Sequence, residues 1–173
     1  MEKEVKDLFN EQILEESTSR FGIDTSTLNL IGSFQNYVYE YKRQNKSYVL
    51  RLTHSSHRKE DLVKGELDWI LYLVNNGVAA SRPVYSIHGK LTERIDIDDS
   101  YFIATSFEKA EGKKIGYPEC LSNDELFEEC GRVTGKIHFL SKKYRPSSKE
   151  IQRHEWRENY YLKNIKKYIP DDL

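Results

Sequence analysis

Arg51 and Glu66 are the residues of this 173-residue chain whose types and spacing first suggest chemistry. Arg51 lies in "YVLRL", where strand alternation puts Tyr48, Leu50 and Leu52 on one face and Val49 and Arg51 on the other. Glu66 lies in "KGELDWILYL", where helical spacing groups Leu62, Glu66, Trp69 or Ile70, and Leu73 into one stripe. An unpaired charge is too costly to bury, so either that face turns to solvent at Glu66 or a cation meets the carboxylate. A strand cation paired with a helix carboxylate is an arrangement that holds positive charge against the α and β phosphates of a nucleotide. Upstream, "GSFQNYVYEY" puts Gly32, Ser33, Phe34, Gln35 and Asn36 in a turn between two strands, where backbone amides can cover phosphates. The plain alternatives are a structural ion pair and an ordinary turn glycine.

Other residues that could do chemistry carry weaker patterns. His54 and His57 read as solvated residues ahead of a helix, and His138 as a packed helix residue. "DIDD", Asp96 to Asp99, lacks the glycine and distal glutamate of a calcium loop and reads as a turn. "HEWRE" lacks the second histidine of a zinc-protease helix. The mix of aromatic and basic residues in "RHEWRENYYLKNIKKYI" fits a packed amphipathic helix better than a nucleic-acid surface.

The elements that must carry these residues follow from periodicity. Residues 3 to about 20 predict one helix with Val5, Leu8, Phe9, Ile13 and Leu14 on one side, closed by Gly22. "TLNLIGS", "NYVYEYKR" and "KSYVLRLT" predict three antiparallel strands, the last two joined by a turn at "RQNK". The helix carrying Glu66 runs from about His57 to Asn76 and stops at Gly77. "RPVYSIHGKLTERI" predicts two short strands about a His88-Gly89-Lys90 turn, and "SYFIATSFE" an apolar strand. After Gly112 the character is helical. "NDELFEECGRVTGKIHFLSKKY" has a stripe through Leu126, Cys130, Val133, Ile137 and Leu140, and a further helix is capped at Ser147 or Ser148 and ends before Pro170. This order is α+β, with a five-stranded antiparallel sheet and one main packing helix. It divides the chain into a leading helix and sheet lobe, 1–111, and the start of a helical lobe, 112–173.

Composition narrows the partners. Lys plus Arg number 27 against 28 Asp plus Glu, a net charge of -1, and the pI is near 6.5, so no global field draws nucleic acid or an anionic membrane. Cys120 and Cys130 form no C-x-x-C pair, which fits a reducing setting. The acidic, amphipathic N-terminus is no secretory signal, and no run approaches the roughly 20 apolar residues of a membrane helix. The expectation is a cytoplasmic protein with neither nucleic-acid nor membrane partners.

Taken in order, "IGSFQNYVYEY", "YVLRL", "KGELDWILYLVNNGV", "RPVYSI", "YFIATSFEKAEGKKI" and "CGRVTGKIHFL" resemble the N-terminal half of the aminoglycoside phosphotransferase and choline kinase family, which has a protein kinase-like fold. The resemblance covers residues 25 to 140 approximately. It implies that Gly32 to Asn36 cover the nucleotide, that Arg51 stands where the strand lysine usually does, and that Glu66 is the helix carboxylate. It also implies a hinge at Ser106, Phe107 and Glu108, whose backbone bonds a purine, with Val38 and Val49 completing the nucleotide site. The cofactors implied are ATP or GTP with Mg²⁺, and the partner a small-molecule hydroxyl acceptor. The family's H-x-D-x-x-x-x-N catalytic loop is missing, since no histidine here precedes an aspartate by two. The chain therefore reads as a truncated kinase, with no catalytic or metal-binding residue and inactive alone. The alternatives are a nucleotide-binding pseudokinase and an interaction domain.

Overall fold

Alternation along one strand sets the architecture. In the computed structural model, which describes residues 3–112, 115–149, 151, 157 and 160–169, β3 (Lys46–His54) buries Leu50 and Leu52 completely on one face and carries Arg51 on the other. It is flanked by β2 (Tyr37–Arg43) and β6 (Ser100–Glu108), both antiparallel to it. β1 (Asn29–Gly32) pairs with β2 at one edge. β4 (Pro83–Val84) and β5 (Glu93–Ile97) both pair with β6 at the other. The sheet thus has six strands rather than five, and the two short strands of the segment from Arg82 to Ile97 each meet β6 instead of forming a hairpin with one another. The "RQNK" turn has the expected form: Gln44 and Asn45 both take positive φ between the paired Arg43 and Lys46, the geometry that matches strand twist in a two-residue loop.

Both faces of the sheet are covered. On one side the predicted single N-terminal helix is two, α1 (Lys3–Leu8) and α2 (Glu11–Arg20), because Asn10 turns extended and its side chain caps α2 by accepting from the Ile13 N–H at 3.1 Å. Val5, Ile13 and Phe21 pack there against Tyr37, Tyr39, Leu50, Leu52 and Phe102. On the other side α3 (Glu60–Asn75) lays Val63, Leu67 and Ile70 over Ile103 and Phe107. The buried stripe of α3 is therefore rotated from the predicted one, and Glu66 stands at its flank. The helix also starts three residues later than His57, with Lys59 as its N-cap. α4 (Asp124–Ser141) begins at Asn123, whose side chain accepts from Leu126 N–H, and seats Val133, Ile137 and Leu140 against Trp69, Tyr72, Leu73 and Val78. Cys130 and His138 are exposed, contrary to their expected packing. Of the last predicted helix, Glu150, Gln152–Trp156, Glu158 and Asn159 lie outside the described residues; the rest includes short helices α5 (Tyr160–Lys163) and α6 (Ile165–Tyr168).

A buried acid ties α2 to the sheet edge. Glu93, 1% exposed, accepts from Ser86 Oγ at 2.6 Å and His88 Nδ1 at 2.9 Å on one oxygen, and from Arg20 Nη1 at 3.1 Å on the other. Burial pushes its pKa up, but the hydrogen bonds from Ser86, His88 and Arg20 outweigh burial and hold the carboxyl below its ordinary range. A depressed carboxyl stabilises the fold above the unfolded value of about 4.3, and that contribution disappears as pH falls through the lower folded value. Glu93→Ala is expected to cost about 2 kcal/mol at neutral pH, and thermal unfolding at a series of pH values should show its gap from the wild type closing below about pH 4.

Candidate functional site

The carboxylate of Glu66 is not alone at the edge of its apolar face. Arg51 reaches across from β3, donating from Nη1 to Oε1 at 2.8 Å and from Nη2 to Oε2 at 3.2 Å. Such a two-pronged pair fixes orientation as well as distance. Thr105 Oγ1 accepts from Arg51 Nε at 3.3 Å, and the guanidinium lies 5.0 Å from the Phe107 ring centroid. Both side chains are mostly but not fully buried, at 19% and 23% exposure, so the pair forms the floor of an open cleft. That cleft, about 380 Å³, is lined by Gln35 and Asn36 above, Arg51, Thr53 and Glu66 below, and His57 and Arg58 at one end.

The loop between β1 and β2 is the roof. A register shift between Leu30 and Gly32 still leaves Gly32 paired with Val38; the pairing stops there, and Ser33 to Asn36 leave the ladder. Gly32 is not in the left-handed region, and a Cβ there would meet Val38 only at ordinary contact distance, 3.8 Å. The fold does not require glycine at this position. His57, expected to be merely solvated, binds the roof: its Nδ1 lies 2.7 Å from the Gln35 carbonyl oxygen. A carbonyl only accepts, so that nitrogen carries the proton. His54 is 6% exposed rather than solvated, and its ring bonds Ser56 and Ser100.

The remaining predicted residues fall in two groups. Val38 and Val49, both half-buried, lie on the Arg51 face of the sheet, as Val38 pairs with Arg51 and Val49 with Phe107. Phe107 is buried beside Val63 and Leu67, with its ring under the Arg51 guanidinium. Ser106 points to the opposite face, where its Oγ lies 2.8 Å from Tyr41 Oη. Ser106 and Phe107 have strands on both sides, β3 and β4, and the Glu108 N–H donates to the Arg82 carbonyl at 2.8 Å. The ladder thus engages this segment until the chain leaves it at Lys109. There the Lys109 N–H donates to Ser47 O and its ammonium sits 2.7 Å from Glu40, holding that carboxyl below the usual range.

Periodicity did not point to Thr53, His57, Arg58 or the Lys109–Glu40 pair. His57 and Arg58 lie in the turn after β3 and Lys109 at the exit of β6, where neither the helical nor the strand period applies, whereas Thr53 and Glu40 sit inside strands but carry no pattern that singles them out. Among the described residues, no three His, Cys, Asp or Glu side chains come together in a way that could hold a metal ion.

Comparison with known proteins gives the cleft a setting. Residues 27–172 match the model of the phosphotransferase enzyme family. The chain is 36% identical over 172 residues to amicoumacin kinase of Bacillus subtilis (strain 168), covering 98% of this chain and 50% of the relative. The solved structure of an amicoumacin kinase in complex with AMP-PNP, Ca²⁺ and Ami superposes with a TM-score of 0.87 at 35% identity, covering 99% of this chain and 52% of that one. A microcompartment-associated aminopropanol kinase shares the fold, with a TM-score of 0.69 at 20% identity over 85% of this chain and 45% of its own. The chain spans about half the length of the relatives it matches.

The geometry of the ion pair sets a measurable coupling. In urea denaturation, a double-mutant cycle of Arg51→Gln and Glu66→Gln should give a coupling energy of about 1–2 kcal/mol in the folded state. Arg51→Lys should recover less than half of it, because an ammonium cannot offer two parallel donors to one carboxylate.

Proposed function

The chain belongs to the phosphotransferase enzyme family, and from that premise we propose that it forms the nucleotide-binding part of a small-molecule kinase. That kinase moves the γ-phosphoryl group of ATP or GTP, with Mg²⁺, to a hydroxyl acceptor. The observation that carries this reading is the two-pronged Arg51–Glu66 pair on the floor of a cleft roofed by the loop from Gly32 to Asn36. With Glu66 holding the guanidinium in place, Arg51 still has N–H donors to offer to phosphate oxygens. The amides of Ser33 to Asn36 close over those oxygens from above. A purine slides between Val38, Val49 and the Phe107 wall, and its polar edge meets the backbone at Glu108 and just beyond, where the chain leaves the ladder.

On this reading residues 1–111 are the nucleotide lobe, and 112–173 begin the lobe that selects the acceptor. Transfer needs a metal-binding set and a group that orients the attacking hydroxyl. The described residues bring together no such metal set, and the sequence holds no H-x-D, so neither step is assigned to residues of this chain. By itself the chain binds nucleotide without turning it over. The relative's name makes amicoumacin, or a molecule built like it, the first acceptor to try with a longer protein. A cytoplasmic setting, where nucleotide and unpaired Cys120 and Cys130 coexist, completes the proposal.

Titrating Mg²⁺-ATP and Mg²⁺-GTP into the isotope-labelled chain tests it. Amides of residues 32–36 and 106–111 should shift together, and Arg51→Ala should weaken binding about tenfold or more, as loss of a charge-assisted hydrogen bond does. Shifts confined to α4 and beyond would overturn the assignment of the cleft.

A further inference from the structure

Glu66 is held by two guanidinium groups. Besides the pair with Arg51, its Oε2 accepts from Arg58 Nη1 at 2.6 Å. Two cations on one carboxylate leave a formal positive charge in the cleft. The fold has little need for the second cation, because Arg51 already engages both oxygens of Glu66. Arg58 is 53% exposed, and an ion pair that open to water adds little to stability. It also lies ahead of α3, in the turn that follows β3, where its backbone N–H donates to the His54 carbonyl at 3.2 Å and its side chain reaches across to Glu66.

Position along the cleft says what the extra charge faces. Val49, beside Phe107, marks the purine end. Moving along β3, Arg51 comes next on the same face, then Thr53, and then the turn with His57 and Arg58. A nucleotide laid along this line puts its inner phosphates over Arg51 and its last phosphate at Arg58. His57 ties that turn to the roof through the Gln35 carbonyl, so Arg58 sits where roof and floor meet. A phosphate offers a guanidinium more negative charge than the Glu66 oxygen that Arg51 already shares.

We propose that Arg58 is a second phosphate-binding residue, which leaves Glu66 Oε2 and takes the terminal phosphate of a nucleoside triphosphate while Arg51 stays on Glu66 and faces the inner phosphates. The inference rests on the nucleotide reading of the cleft. It makes Arg58 a discriminator of phosphate number and Glu66 its resting place.

The test is calorimetric titration of AMP, ADP and ATP, each with Mg²⁺, into the wild-type chain, Arg58→Gln and Arg58→Lys, with thermal midpoints recorded alongside. Arg58→Gln should weaken ATP about tenfold, the loss of one charge-assisted contact, while moving ADP and AMP by less than about twofold. Arg58→Lys should recover part of the ATP loss, and the midpoints should coincide. An equal loss for all three nucleotides would make Arg58 a support for the roof or the fold and overturn the proposal, as would an ATP affinity that Arg58→Gln leaves unchanged. A wild-type chain that binds none of the three would overturn the nucleotide reading itself, an outcome distinct from binding that is indifferent to Arg58.

Discussion

Everything in this fold depends on the period of two along β3. Leu50 and Leu52 belong to the core under α1 and α2, and Arg51 and Thr53 to the face under α3. A slip of one residue would send Arg51 into an apolar core and two leucines into an open cleft, a change of face for every side chain on the strand. Pairing with β2 on one side and β6 on the other removes that freedom, since seven residue pairs fix the register on each side. The cation is thus placed by the sheet before any side-chain interaction acts on it.

α3 converts that placement into a site. Three of its surfaces have different partners: Val63, Leu67 and Ile70 meet the sheet, Glu66 meets the cleft, and Trp69, Tyr72 and Leu73 meet α4. Tyr144, which follows α4, stacks edge-on against Trp69 and hydrogen-bonds Asp68, adding a polar tie on that outer surface. The distance between Arg51 and Glu66 is therefore the outcome of how the helix seats on the sheet, and a rotation of α3 about its own axis would be felt at the ion pair first. Apolar burial supplies most of the seating and carries no directional information. The hydrogen-bonded fork supplies direction, because both of its bonds must stay straight.

The parts of this arrangement that were legible in the sequence are those governed by a regular period. Three strands, the two-residue turn between β2 and β3, and the opposition of Arg51 to Glu66 follow from alternation, turn chemistry and the cost of a lone buried carboxylate. What periodicity could not supply was phase and interruption. Glu66 looked central on its stripe because Leu62, Trp69 and Leu73 are apolar, yet Val63, Leu67 and Ile70 make the tighter seam, and only the sheet beneath decides between two stripes about 100° apart. Asn10 broke a helix whose apolar pattern ran through it, since a good cap can start a new helix where the pattern alone would continue. The segment from Arg82 to Ile97 looked like a hairpin, but buried Glu93 is held by Ser86, His88 and Arg20, and both strand pieces dock on β6.

Arg58 carries no such sequence signature, whereas Arg51 does. A strand residue declares its face through its neighbours, whereas Arg58, which lies ahead of α3 and not inside the helix expected from about His57, has no period to betray its direction. Its contact with Glu66 spans eight residues, beyond the three- and four-residue steps that helix arithmetic considers. Short turns at strand ends are nonetheless where a scaffold can place a long side chain at low cost, since their backbone is fixed by the strand before and the helix after. Here the strand brings Arg51, the helix brings Glu66, and the turn between them adds a second cation to the same carboxylate. The cleft thus gathers its charge from one continuous stretch, β3 through the second turn of α3, which keeps the three groups in register whatever the outer helices do.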